Sequence, residues 1–427
     1  MSAKVILNKL EITNYRLCKN TVFTPTELLT VLIGPNGSGK TTILRTLSLL
    51  RLLTIDNSYS NWPVNKEIKA EDPIHLKVHL QVGDKKIVHN CKIQIDNDDA
   101  NNDTIIASEE IWNLSSIIGS NKKINIPISA FDSDSPWRGV RIPYHIIKST
   151  SAGKSIRKIG SLRMSNAYNK ILENKDIQNI LTEVAKFYRG INYYSASKFT
   201  NPSLCPVSFE YEEDSIRPRR LDAQGHQKWL VDMYKEWKAN SDNYNSYIDI
   251  IGKDGIGLID GLDFKEVDVS NINYSVRVGG RLLQKNRTTK LIIPQININN
   301  SILSPSQLSE GTFKTLGMLF YIMTNKGSIL LLEEPEVCIH YGLLSSIMSL
   351  IKNRSAEEQI FVSTHSDYIL DFLIPDEVHV VQKNLKDGIT VTALNSYLSK
   401  MDKKALTAFL KSEGSLGEYW RTGAIEE

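Results

Sequence analysis

The sequence predicts an α/β fold built on a mixed β-sheet, and three stretches predict it. The apolar run Leu28-Leu29-Thr30-Val31-Leu32-Ile33 feeds directly into Gly34-Pro35-Asn36-Gly37-Ser38-Gly39-Lys40-Thr41 and then into the helix-like Thr42-Ile43-Leu44-Arg45-Thr46-Leu47. A second run, Ile329-Leu330-Leu331-Leu332, ends in Glu333-Glu334-Pro335-Glu336, and a third, Gln359-Ile360-Phe361-Val362, ends in Ser363-Thr364-His365-Ser366. Strands buried in the middle of a parallel sheet read as continuous apolar runs, and ligands gather at their C-terminal ends.

The first element is a strand over Val5 to Thr13, followed by the strand Leu28 to Ile33 and a helix that starts at Lys40. Between that strand and helix lies a complete phosphate-binding loop, Gly34 to Thr41, with Thr42 opening the helix. Glycines let the backbone close round an anion, and the free N–H groups of a helix start favour phosphate oxygens. Lys40 is expected to reach the β- and γ-phosphates of ATP, and the Thr41 hydroxyl to complete the coordination of Mg²⁺.

Beyond it, Ile74 to Leu80 alternates apolar and polar residues, and Lys86 to Ile95 repeats the pattern after Gly83-Asp84, which reads as a β-hairpin. His75 and His79 share one face of the first hairpin strand, and without a cysteine or carboxylate partner nearby in sequence a metal site is not expected there. Asn97 to Asp103 reads as an exposed loop, and Phe131 to Arg163 is turn-rich. Apolar residues spaced three and four apart predict helices over Ser165 to Tyr188 and Gln224 to Ala239. Heptads are not sustained, so the middle of the chain reads as a folded insertion rather than a long coiled coil.

The second half of the nucleotide chemistry follows. Gln307-Leu308-Ser309-Glu310-Gly311-Thr312 precedes an amphipathic helix over Phe313 to Met323, a second turn that meets a helix N-terminus and suits an anion. Glu333 is expected to hold Mg²⁺ through its water shell, Glu334 to polarise the attacking water, and Pro335 to stop the strand. His365, at the end of its own strand, is placed to bond a γ-phosphate and sense its loss. Residues 1–50 and 300–427 therefore read as two halves of one nucleotide-binding lobe. Residues 51–299 read as an insertion with a hairpin part, 73–96, and a helical lobe over 160–245.

Composition bounds the rest. A chain of 427 residues that is 41% hydrophobic can bury one large core or two moderate ones. No stretch approaches the roughly 18 consecutive apolar residues of a membrane span, and Met1-Ser2-Ala3-Lys4 leads into a strand pattern without a signal-peptide core, so a cytoplasmic protein is expected. The four cysteines, Cys18, Cys91, Cys205 and Cys338, stand too far apart for a zinc knuckle or disulfide framework. A net charge of +3 does not announce nucleic-acid binding by bulk electrostatics, but Lys154 to Arg163, Arg217 to Arg220 and Arg281 to Lys290 are local basic clusters that make DNA a candidate partner.

The motifs in this order resemble those of ABC-type ATPases of the SMC, RecF and OLD kind, specifically the compact AAA-family ATPases of bacterial defence and DNA-processing operons, a group that includes the Septu ATPase. The resemblance rests on Leu10-Glu11-Ile12-Thr13-Asn14-Tyr15-Arg16, the phosphate loop, Leu308 to Thr312, Leu332 to Glu336 and Ser363 to Ser366. It implies an ABC-type ATPase head in which Gly34 to Thr41 is the Walker A loop and Ser309 and Gly311 lie in the signature loop. Glu334 would be the catalytic carboxylate, His365 the switch histidine, and the D-loop would fall around Glu336 to His340. It implies too that heads dimerise head to tail, the signature loop of one capping the γ-phosphate held by another, as a homodimer or higher homo-oligomer with composite sites.

Two positions depart from the family pattern. Glu333 stands where Asp is usual, one methylene longer, so slow hydrolysis is expected. The Q-loop glutamine is not obvious, and Gln81, at the end of a strand, is the candidate metal-site residue. The expected function is an ATP-driven dimeric switch or sensor that regulates a separately encoded nuclease or toxin in anti-phage defence, since the stretch after His365 is short for an appended nuclease. The alternative is a DNA-repair or chromosome-maintenance clamp. A transport ATPase is disfavoured by the large insertion and the lack of a membrane span.

Overall fold

The computed structural model describes residues 4–52, 74–96, 104–113, 175–212, 225–271, 274–278, 281–285, 288–325, 327–337, 339, 341–384, 388–412 and 414–422. The expected loop over Asn97 to Asp103, the turn-rich stretch Phe131 to Arg163, the start of the helix expected from Ser165, and the basic residues of Lys154 to Arg163 and Arg217 to Arg220 lie outside them. The chain divides into two units: Met1–Tyr193 with Lys326–Glu334 and Lys352–Glu427, and Tyr194–Asn325 with Pro335–Ile351.

The first unit is organised by an 11-stranded mixed sheet. Its strands are β1 (Val5–Tyr15), β2 (Cys18–Phe23), β3 (Leu29–Ile33), β4 (Ile74–Val82), β5 (Lys85–Asp96), β6 (Thr104–Asn113), β7 (Ile191–Ser195), β14 (Ile329–Glu333), β15 (Gln359–Thr364), β16 (Val378–Asn384) and β17 (Gly388–Ala393). They lie in the order β6-β5-β4-β1-β2-β17-β16-β3-β15-β14-β7. The parallel part, β16-β3-β15-β14, sets the three apolar runs side by side. β3, β14 and β15 are buried at every residue, as expected of central parallel strands.

Helix α1 (Lys40–Leu52) buries Ile43, Leu44, Leu47, Leu49 and Leu50. Helix α2 (Lys175–Arg189) adds Val184, Phe187 and Tyr188 to the same core, which also takes in Leu7, Leu10 and Ile12 of β1, Ile74, Leu76, Val78 and Leu80 of β4, and Phe361 of β15. The alternation read along β4 is real: its apolar residues are buried and its polar ones are not. The hairpin, however, does not belong to an insertion. β4 pairs antiparallel with β1 from Val5↔Val82 to Thr13↔His75 and extends the nucleotide-lobe sheet. Its apolar face needs the same core as β1, and a free edge of β1 would leave a ladder of N–H and C=O groups unpaired.

His79 on that outer face is not isolated. Its Nε2 lies 2.9 Å from Glu11 Oε1 on the neighbouring strand, and Lys9 and Lys77 reach the same oxygen at 2.9 and 3.2 Å. Partial burial raises the Glu11 carboxyl, but the bonds from Lys9, His79 and Lys77 outweigh it and bring the pKa down to about 2.

In the second unit β12 (Thr288–Ile298) is the common strand, pairing antiparallel with β8 (Phe209–Glu212), β9 (Gly261–Asn271) and β13 (Ser301–Leu303). β10 (Tyr274–Val278) and β11 (Arg281–Lys285) form a separate two-stranded ribbon. Helices α3 (His226–Lys238), α4 (Asp242–Ile251) and α5 (Glu310–Thr324) enclose an aromatic core. Phe199 and Trp229 stand 5.9 and 5.1 Å from Phe313, and Tyr247 stands 5.6 Å from Phe320, each by ring centroids. Of the basic cluster Arg281 to Lys290, Lys290 is paired with Glu266 at 2.6 Å, which offsets its charge. Cys18, Cys91 and Cys205 are buried free thiols. Among the described residues no helix is long and apolar enough to cross a membrane.

Candidate functional site

The ends of β3, β14 and β15 are level, because Glu333 is in register with Ser363 and Ile33 with Thr364. Everything that follows those three strands therefore emerges on one edge of the sheet. After β3 comes the loop Gly34 to Gly39, whose three glycines have φ of 153°, 77° and 110°, a region that side chains disfavour. Gly34 is further constrained by space: a Cβ there would lie 2.3 Å from the backbone oxygen of Val381 on β16. The loop closes with Ser38 N–H donating to Pro35 O at 3.2 Å, and α1 begins at Lys40.

Lys40 is buried, and its Nζ donates to the carbonyls of Gly34 (2.6 Å) and Pro35 (3.1 Å). The ammonium thus sits over the centre of the loop, where phosphate oxygens can replace the two carbonyls as acceptors. Thr41 Oγ1 donates to Glu333 Oε1 at 2.5 Å. The other oxygen of Glu333 accepts from Tyr193 Oη, and the guanidinium of Arg45, one helical turn after Thr41, lies near the same tyrosine. Burial, then the charge of Glu333, push the Tyr193 hydroxyl well above its ordinary value, so it remains protonated and donates. Burial lowers the Arg45 guanidinium, but Tyr193 and Glu333 outweigh that and hold it above its usual value.

Glu334 differs sharply from its neighbour. Glu333 is buried, whereas Glu334 turns out of the strand at φ 49°, a left-handed conformation that costs a non-glycine residue about 1 kcal/mol or more. The turn is fixed by its N–H, which donates to Ser363 O at 2.8 Å. Its Oε1 then lies 3.7 Å from Nδ1 of His365, and both side chains are partly exposed to solvent. Two buried hydroxyls on this edge, Ser38 Oγ in the loop and Ser363 Oγ beside Glu333, have no hydrogen-bond partner in the protein, and buried polar atoms call for one. The residues present fit a phosphate chain and a divalent cation: a glycine cradle, a buried lysine, a hydroxyl, and one buried and one exposed carboxylate. Among the described residues no group of three or more His, Cys, Asp or Glu side chains could hold a metal by itself. An ion at Thr41 and Glu333 would draw its remaining oxygens from phosphate and water.

The structure thus brings Lys40, Thr41, Glu333, Glu334 and His365 together at the mouth of the loop Gly34 to Gly39, with Pro35, Asn36 and Thr42 on the loop and its helix. It does not bring Gln81 there. Gln81 accepts from Asn8 Nδ2 at 3.4 Å, donates to Gly83 O at 3.0 Å, and is in register with Ile6. The adjacent Leu7 N–H bonds the side chain of Gln359, the first residue of β15. Gln81 is therefore at the N-terminal end of the parallel strands, opposite the phosphate loop, and is corrected from a metal-site residue to a hairpin residue. Tyr193 and Arg45 are the site residues that sequence reasoning missed, since neither belongs to a spaced motif.

In the second unit Ser309 is the N-cap of α5, accepting from Thr312 N–H at 3.2 Å, with Gly311 in the first turn. The helix begins three residues earlier than its apolar pattern suggested. Of the expected D-loop, Cys338 and His340 lie outside the described residues.

The chain is 22% identical over 416 residues to the OLD nuclease of Thermus scotoductus (strain ATCC 700910 / SA-01), an alignment that covers 94% of this chain and 66% of that protein. The chain thus spans about two thirds of its relative's length. Solved structures similar to it include an SMC head bound to the C-winged helix domain of ScpA (15% identity, TM-score 0.46, 94% of this chain and 99% of that one). Another is the SMC head domain from Thermotoga maritima (11% identity, TM-score 0.40, 91% and 98%). Residues 6–370 match the family described as the AAA ATPase domain. That stretch contains the glycine loop, both carboxylates and the histidine assembled above, and the chain belongs to the AAA ATPase domain family.

Proposed function

We propose that this protein binds Mg²⁺ and ATP at the Gly34 to Thr41 loop, hydrolyses ATP slowly, and works as a homodimeric switch. The observation that carries the reading is the convergence of Lys40, Thr41, Glu333, Glu334 and His365 on one sheet edge. Lys40 would bind the β- and γ-phosphates and offset their charge, and Thr41 and Glu333 would hold Mg²⁺, which supplies further charge neutralisation at the phosphates when bound. Glu334 faces solvent, so it can accept a hydrogen bond from a water and aim its oxygen at the γ-phosphorus. The water oxygen bonds to the γ-phosphorus as the bond from that phosphorus to the β–γ bridging oxygen breaks, and the water's proton passes to Glu334, giving ADP and phosphate. His365, against Glu334, is positioned to register whether the γ-phosphate is present.

In this reading Ser309 and Gly311 of one copy close over the nucleotide held by another, so that ATP joins two copies and hydrolysis parts them. The output passes to a separately encoded effector, a nuclease or toxin, in anti-phage defence. The similarity to a protein described as an OLD nuclease supports a nuclease as the class of effector. The experiment is to measure ATP hydrolysis and, by light scattering, the mass of the protein with ATP, ADP or neither. ATP-dependent doubling of mass with slow phosphate release is expected. A mass indifferent to nucleotide would remove the dimeric switch.

A further inference from the structure

The carboxylate of Glu333 is restrained more tightly than a metal ligand requires. Thr41 Oγ1 takes Oε1 and Tyr193 Oη takes Oε2, so both oxygens are occupied and the plane of the carboxylate is set. Tyr193 comes from β7, beside β14 at the edge of the sheet, and has the guanidinium of Arg45 from α1 near its hydroxyl. A glutamate has one more rotatable bond than an aspartate and so more ways to miss a bound ion.

From this geometry we infer that Tyr193 is a positioning residue for Glu333, with Arg45 holding the tyrosine, and that this pair fits the longer carboxylate to a divalent cation. The inference rests on the Mg²⁺–ATP reading above. The two donors hold different oxygens. Thr41 can meet an ion through a lone pair of its hydroxyl while its O–H still donates to Oε1. Tyr193 is on the other oxygen and can keep its bond throughout. Without the tyrosine hydroxyl, the carboxylate would keep only the bond from Thr41 and could turn about it. Partners of this kind, one bond removed from a metal, orient the ligand and tune its basicity.

The test uses the full chain and a fluorescent ATP analogue, titrated with MgCl₂ and, separately, in EDTA. Tyr193→Phe should raise the Mg²⁺ concentration for half-maximal binding about ten-fold, while affinity in EDTA stays within about two-fold of wild type. Arg45→Gln, a second variant in case the first is poorly folded, should move the Mg²⁺ midpoint in the same direction. Glu333→Asp should also raise it, because the shorter side chain no longer spans Thr41 and Tyr193 at once. In that background Tyr193→Phe should add less than about two-fold, which a general packing defect would not reproduce. An unchanged midpoint in Tyr193→Phe, or full additivity with Glu333→Asp, would overturn the positioning role alone. Wild-type protein that bound no nucleotide would overturn both this inference and the ATPase reading.

Discussion

Thr41 Oγ1 donates to Glu333 Oε1 across a sequence separation of 292 residues. One residue opens the helix after the glycine loop and the other closes a central parallel strand, so the bond exists only because β3, β15 and β14 are adjacent and end level. It gathers two oxygens of the proposed magnesium site before any ligand contributes its own.

Removing the Lys40 ammonium should remove nucleotide binding. Lys40→Ala takes away the buried cation that faces the loop carbonyls, and loss of charge-assisted bonds to phosphate should weaken ATP at least about 100-fold. Isothermal titration calorimetry reads this directly, and near-normal affinity would show that the phosphates lie elsewhere.

Glu334→Gln should separate binding from chemistry. The amide cannot accept a proton from water, so phosphate release should fall about 100-fold or more, while ATP affinity persists and the dimer accumulates. Phosphate release at the wild-type rate would reassign the water-orienting role, with His365 the neighbour to examine next.

Composite sites predict complementation. Lys40→Ala and Ser309→Arg should each be inactive alone, but their heterodimer pairs an intact loop with an intact cap at one of its two sites. A one-to-one mixture should then recover roughly a quarter of wild-type hydrolysis. No recovery on mixing, with both variants folded and dimer-competent, would argue for sites completed within one chain.

Gly34→Ala should damage the loop through space as well as conformation. The added Cβ meets Val381 O at 2.3 Å, and the φ of 153° disfavours a side chain, so a stability loss of about 2 kcal/mol is expected. Urea unfolding checks it, and a midpoint equal to wild type would mean that the loop and β16 can separate freely.

His379 makes stability fall in mild acid. Burial lowers its pKa below the ordinary 6.5, and the bond from Nε2 to Thr24 O at 2.9 Å only partly opposes this. The unfolded chain therefore binds the proton first, so stability is full above pH 6.5 and is lost as pH falls from there through the lower folded value. The slope from this group is at most about 1.4 kcal/mol per pH unit. His379→Gln should flatten the dependence of unfolding free energy on pH in that window; an unaltered slope would point to another group.

Much of the site was legible because its parts are local. A glycine loop between an apolar strand and a helix, a strand that ends in Glu333-Glu334, and a strand that ends before His365 each state their geometry within about ten residues. The turn through Ser309 was legible as leading into a helix N-terminus, but the helix itself starts at Glu310, because the Ser309 N-cap hydroxyl acts on the polar turn that precedes the apolar pattern. Gln81 was misplaced because a residue at a strand end carries no sign of which end of the sheet it occupies; that depends on the antiparallel pairing of β4 with β1. Tyr193 and Arg45 were invisible because nothing in their own neighbourhoods refers to Glu333.

The sequence by itself determined the chemistry of each segment: which backbone can cradle an anion, which strands must be buried, and which carboxylates and histidine stand at strand ends. Only the tertiary structure decided their company. It put Gln81 at the far end of the sheet, drew the 74–96 hairpin into the nucleotide lobe, and closed Tyr193 and Thr41 on the two oxygens of Glu333. The physical reason is that loops, caps and strand ends are set by contacts a few residues apart, whereas strand order and side-chain partnership are set by burial and hydrogen bonding between segments hundreds of residues apart.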